Sequence, residues 1–175
     1  MIHEREMHLI FVRRDLASFR HLHPSVNRGT WSVAVKPDLE PGVWRAFADF
    51  STGGTPYTLG VDLHVAGNYV PEPLPSPSTT SMANPFSVHL RERHGSTSFN
   101  VERDGAEVAL DAYLGARGHL VVVREGDLAF LHVHPVSDDL EFAVTYPSRG
   151  GYRLFLQFSV EDTVHLAAFT RQAFG

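Results

Sequence analysis

The chain has 175 residues, 43% of them hydrophobic and 20% charged, which suits one large or two small globular domains. A net charge of −5 argues against nucleic-acid binding, which needs a clustered basic surface, and no apolar run approaches the ~20 residues of a membrane helix. The absence of cysteine excludes disulfides, thiolate zinc sites, a cysteine nucleophile and a blue-copper centre.

Residues 1–6 are short and polar, and the opening MIHEREMHLI has no signal-peptide apolar core. Residues 7–23 place two apolar runs, HLIFV and FRHLH, around RRDLAS, which predicts a β-hairpin. Residues 25–30 read as a turn. Trp31, Val33 and Val35 alternate with polar or small residues and predict a half-buried strand. A turn at 37–42 (PDLEPG), a strand at 44–50 (WRAFADF), a loop at 51–56 and a strand at 57–65 (YTLGVDLHV) complete a first domain over residues 1–66. Residues 67–84 are rich in proline and serine and read as an extended linker, unable to join a central strand. Residues 85–175 read as the second domain. Its strands are predicted at 86–92 and 96–102, followed by a hairpin turn at Arg103-Asp104-Gly105. A hairpin at 118–135 and strands at 140–146, 152–158 and 163–170 follow.

The two hairpins are copies. MHLIFVRRDLASFRHLHP (7–24) and GHLVVVREGDLAFLHVHP (118–135) share eight of eighteen positions without a gap, among them His8/His119, His21/His132 and His23/His134. WRAFADF also matches YRLFLQF at Arg45/Arg153, Phe47/Phe155 and Phe50/Phe158. The pattern predicts an all-β chain of two tandem antiparallel β-sandwich domains, immunoglobulin-like or cupredoxin-like, from an internal duplication. The second copy has two or three strands ahead of its histidine block where the first has six residues. The expectation is a first domain truncated at its N-terminus, with Met1 an internal start.

Six of the eleven histidines lie in the two hairpins. A second hairpin turning on Gly126-Asp127 puts Val121 opposite His132 and His119 opposite His134. By the same count His8 faces His23, with His21 diagonal to His8. All three histidines of a hairpin then share one face, and a one-residue slip would send His8 and His119 to the other. Three converging imidazoles with one position open suit zinc or copper, so the candidate metal ligands are His8, His21, His23, His119, His132 and His134. The competing reading has each histidine tying a strand end to a backbone carbonyl. His64, His89, His94 and His165 read as ordinary strand or loop histidines. Asp49, Asp62 and Asp127 are candidate carboxylate partners, with Asp127 better explained as a turn residue. No phosphate-binding glycine loop and no Gly-x-Ser-x-Gly elbow is present.

The phrases MHLIFVRRDLASFRHLHP and YLGARGHLVVVREGDLAFLHVHP resemble a family of bacterial extracytoplasmic tandem β-sandwich proteins associated with heavy-metal, particularly copper, handling. The resemblance covers residues 7–65 and 84–171 and implies a periplasmic, secreted or membrane-anchored accessory protein rather than an enzyme. Together the readings lead to a copper- or zinc-binding protein for metal carriage or sensing, working with a metal-transport or membrane partner. Its affinity should fall below about pH 6 as the imidazoles protonate. The alternatives are an immunoglobulin-like interaction module with structural histidines, and a three-histidine metallohydrolase, which would need a pocket with a carboxylate.

Overall fold

A computed structural model describes residues 7–93, 95–133, 135–137 and 139–174. The described residues form antiparallel β-sheets and no helix, so none is long and apolar enough to cross a membrane. The chain divides into two compact units, Met1–Pro73 and Leu74–Gly175.

The first unit contains β1 (Met7–Arg13), β2 (Phe19–Leu22), β3 (Ser25–Asn27), β4 (Thr30–Ser32), β5 (Gly42–Thr52) and β6 (Thr55–Val65). Four of them make a sheet in the order β2-β1-β5-β6. Alternation along β5 sends Trp44 and Ala46 to one face, where they pack with Phe11, Leu9, Leu22 and Val65. The Trp44 indole N–H, buried with its ring, donates to the Glu40 carbonyl at 2.8 Å. The other face carries His8, Ile10 and Val12 of β1, with Phe19 of β2 and Phe47 of β5, all buried. Burying an aliphatic or phenyl side chain of this size contributes about 1.5–3 kcal/mol.

Two expectations for this unit need correction. Trp31 is not half-buried in the main sheet. Residues 25–32 fold back as a separate hairpin, β3–β4, which leaves Trp31 37% exposed. Arg28 and Gly29 both have positive φ (50° and 80°), the signature of a type I′ turn whose twist closes two strands directly. The expected loop at 51–56 shrinks to Gly53-Gly54 by the same mechanism, with Thr52 paired to Thr55.

The second unit contains β7 (Thr80–Ala83), β8 (Phe86–Arg93), β9 (Ser96–Arg103), β10 (Ala106–Glu107), β11 (Gly118–Arg124), β12 (Phe130–Val133), β13 (Glu141–Ala143), β14 (Gly150–Val160) and β15 (Thr163–Ala173). One sheet runs β10-β9-β8-β7, with β13 also on β9. The other runs β12-β11-β14-β15, the same strand order as the sheet of the first unit. Both sheets feed one apolar core, which includes Phe86, Val88, Phe142, Tyr152, Leu154, Phe158 and Phe169. The hairpin turn expected at Asp104-Gly105 is present, with Arg103 paired to Ala106.

The stretch 67–84 read as a linker is partly structured. Glu72 is tied to the first unit by its backbone N–H on Asp15 and its carboxylate on Arg13. Residues 80–83 form β7, which pairs on one side only, as an edge strand beside prolines should.

Candidate metal centre

The first histidine triplet is built by one hairpin. The pairs Leu9↔Leu22 and Ile10↔His21 are those expected from the sequence, and just beyond the ladder the His8 and His23 rings are in contact. A β-strand alternates its faces, so this register puts His8, His21 and His23 on one side of the two strands. Their ring centroids lie 5.0 Å (His8–His21), 4.9 Å (His8–His23) and 4.8 Å (His21–His23) apart. One nitrogen from each ring lies within 4.8 Å of the others.

His8 Nδ1 stands 2.7 Å from His21 Nε2. Two ring nitrogens at that distance share one hydrogen, since one must donate and the other offer its lone pair. A tetrahedral ion with Zn–N bonds near 2.0–2.1 Å holds its nitrogens about 3.3 Å apart. The His8–His21 nitrogens stand closer than that, so an ion replacing their shared hydrogen requires those two rings to open by roughly half an ångström. The cluster is graded in depth: His8 is 2% exposed, and His21 and His23 are half-buried. His23 lines a cleft of about 430 Å³ with Ser25, Ser32, Val33 and Ala34, none of them an acid.

The second triplet is less complete in the described residues. Val121↔His132 again matches the expected register. The side chain of His132 and all of His134 lie outside the described residues. His119 is buried, and its Nε2 is 2.8 Å from the Tyr113 carbonyl oxygen. A carbonyl can only accept, so Nε2 carries the hydrogen and donates it. This is the strand-end tie of the structural reading.

Of the remaining histidines, His89 sits 3.5 Å from the Glu102 carboxylate, and His165 packs against the Phe86 and Phe158 rings. Burial lowers the His165 pKa, aided by the nearby Arg103 charge. His64 lies on β6 opposite Val43, and His94 lies outside the described residues. None of the described three joins a second cluster of three possible ligands.

The three carboxylates separate clearly. Asp127 caps its turn by accepting the Ala129 N–H and pairs with Arg124. Asp62 is taken by Arg45 at 2.9 Å. Asp49 is the one beside the triplet: it lies directly opposite His8 across the β1–β5 ladder and is 2% exposed. Residue spacing offers no reason to prefer it, because that pairing joins segments about forty residues apart.

A family model described as Domain of unknown function (DUF8832) matches residues 86–175. The match takes in His119, His132 and His134, and the His8/His21/His23 cluster lies outside it. No curated protein matches the chain, and no solved structure does.

Proposed function

The chain belongs to the family described as Domain of unknown function (DUF8832), and from its histidine geometry we propose that it binds a transition-metal ion, copper or zinc, and carries or senses it. The observation that carries this reading is the convergence of three imidazole nitrogens from His8, His21 and His23 within 4.8 Å of one another. Three neutral nitrogens without a thiolate suit Zn(II) or Cu(II). The cleft at His23 supports an exchangeable fourth position, which a carrier or sensor needs.

His119, His132 and His134 form a second site of the same kind in this reading. In this reading the two sites sit in two domains related by duplication, the second an immunoglobulin-like or cupredoxin-like β-sandwich and the first a single four-stranded sheet with the β3–β4 hairpin. The shared strand order of the two four-stranded sheets and the shared hairpin register support that duplication. The protein acts outside the cytoplasm, with a metal-transport or membrane partner, and not as an enzyme. The hold of His119 on the Tyr113 carbonyl favours a second reading for the second hairpin alone, in which its histidines tie strand ends together.

The test is calorimetric titration of metal-free protein with Cu(II) and Zn(II) at pH 7.5, beside His21→Ala and His132→Ala. Saturable binding of one ion that His21→Ala abolishes supports the first site. A second ion lost in His132→Ala supports the second. Binding of neither metal, or binding untouched by His21→Ala, refutes the proposal.

A further inference from the structure

One rung of the first sheet crosses β1, β5 and β6 and reads His8, Asp49, Thr58, with the His23 ring against that of His8 at its outer end. Opposed residues on neighbouring antiparallel strands share a face, with Cβ atoms about 4.5–5.5 Å apart. Asp49 therefore stands beside His8 on the histidine face. Both are 2% exposed, and the Thr58 hydroxyl donates to Asp49 Oδ1 at 2.7 Å, which fixes the carboxylate at its place on the rung. Arg45, further along β5 on the same face, is paired with Asp62 at 2.9 Å. The converging ligand atoms come from the three histidines alone, so Asp49 is a neighbour of the cluster and not a member of it.

We propose that Asp49 is the counter-charge of the metal centre, a buried carboxylate that offsets part of the charge of a dication held by three neutral imidazoles. The inference rests on the reading of His8, His21 and His23 as ligands and adds a selectivity to it. A dication surrounded by neutral ligands keeps its full charge, and a nearby fixed anion lowers the cost of burying it. A monocation gains half as much from the same anion. The site thus favours Zn(II) or Cu(II) over a monovalent ion. The corresponding rung of the second unit runs His119, Gln157, Leu166 and lacks the carboxylate. The two histidine hairpins are therefore not equivalent, and any ion on the second lacks this compensation.

The test measures Zn(II) and Ag(I) affinity of the full chain by competition with a chromophoric chelator, for wild type and Asp49→Asn. Asn keeps the shape and removes the charge. Loss of a partner just outside the ligand shell costs roughly 10–100-fold in affinity. Zn(II) binding should fall by about that factor, and Ag(I) binding by about its square root, roughly 3–10-fold, since a charge interaction scales with the charge of the ion. Thr58→Lys gives the same sign of effect from an exposed position, by placing an ammonium against Asp49 without touching a buried residue. Wild-type Zn(II) affinity in either variant overturns the proposal. So does an equal loss for both metals, which would mark Asp49 as a packing residue. Failure of the wild type to bind either ion, or a binding stoichiometry unchanged by His21→Ala, brings down the ligand assignment itself and is distinguishable from both.

Discussion

Arg13 is a cation buried at the end of β1, opposite in the strand to His8, and replacing it by Met separates its charge from its packing. The guanidinium meets Asp15 at 2.9 Å, Glu40 at 2.9 Å and Glu72 at 2.7 Å. Glu40 and Glu72 are half or more exposed, so each of those pairs contributes at most about 1 kcal/mol. Asp15 has a side chain only 5% exposed, and without Arg13 it is a buried charge with two backbone donors, Ala17 N–H and Glu72 N–H. Stranding one partner of a buried pair costs about 3–5 kcal/mol. These two backbone hydrogen bonds, with that of the Tyr69 hydroxyl, place the expected loss near the lower end, about 3 kcal/mol. Met fills the space of the arginine stem, so little of this is cavity.

Both tryptophans, Trp31 and Trp44, belong to the first unit, and their emission during urea unfolding follows that unit. With a slope of about 1–3 kcal/mol/M, the midpoint should fall by about 1–3 M. The pH dependence is diagnostic. In the wild type, burial pushes the Asp15 carboxyl up, but the Arg13 hydrogen bond and the Glu72 and Ala17 N–H groups outweigh it and hold its pKa below 3.8. A depressed carboxylate stabilises the fold above its unfolded value, and that stability is lost as pH falls through the folded one. In Arg13→Met, burial acts without the guanidinium, the carboxyl titrates higher, and protonation relieves the strain of the unpaired charge. The deficit against wild type should therefore be largest at pH 7 and narrow toward pH 4, and Arg13→Met/Asp15→Asn should recover at least half of it. A deficit under about 1 kcal/mol at pH 7, or one that stays constant with pH, would refute the account.

The Arg124–Asp127 pair is the contrasting case. Its carboxylate is 48% exposed, and the Arg124 hydrogen bond, with the Ala129 N–H, pulls the pKa down to about 2. Asp127→Asn should cost under about 1 kcal/mol at pH 7, and the difference should vanish as pH falls from 3.8 toward 2, read by acid titration of stability. A Cβ added at Gly118 would meet Leu140 at 2.4 Å and the Gln157 carbonyl oxygen at 2.8 Å, so Gly118→Ala should lower stability by about 1–3 kcal/mol in thermal or urea unfolding. A Cβ at Gly60 meets the mobile end of Arg45 at 2.8 Å, and Gly60→Ala should cost less than about 1 kcal/mol in the same assay.

What the sequence made legible was local. The hairpin register that gathers His8, His21 and His23 follows from turn length and strand period, both contained in about twenty residues. The Asp104-Gly105 turn was readable for the same reason. Trp31 was misplaced because alternation reports that one face of a strand is apolar but not which sheet the strand joins. The Arg28-Gly29 turn, which diverts it into its own hairpin, lacks the Asn-Gly or Asp-Gly pair that usually announces a type I′ turn. Asp49 was named without a reason to prefer it, since its place beside His8 depends on β1 pairing with β5, and strand pairing over such a separation leaves no periodic trace in either segment.

All three ligand candidates of the first centre fall within sixteen residues of chain, on two strands joined by a tight turn. A hairpin of this size closes in about 1–10 μs, whereas the sheet around it must bring together residues such as Ile10 and Phe47 across a much longer loop. An ion held by these histidines does not have to wait for the completed sheet. The ligand set of such a site is local in the chain, unlike one gathered from distant segments, and its geometry depends on one hairpin register rather than on the whole sheet.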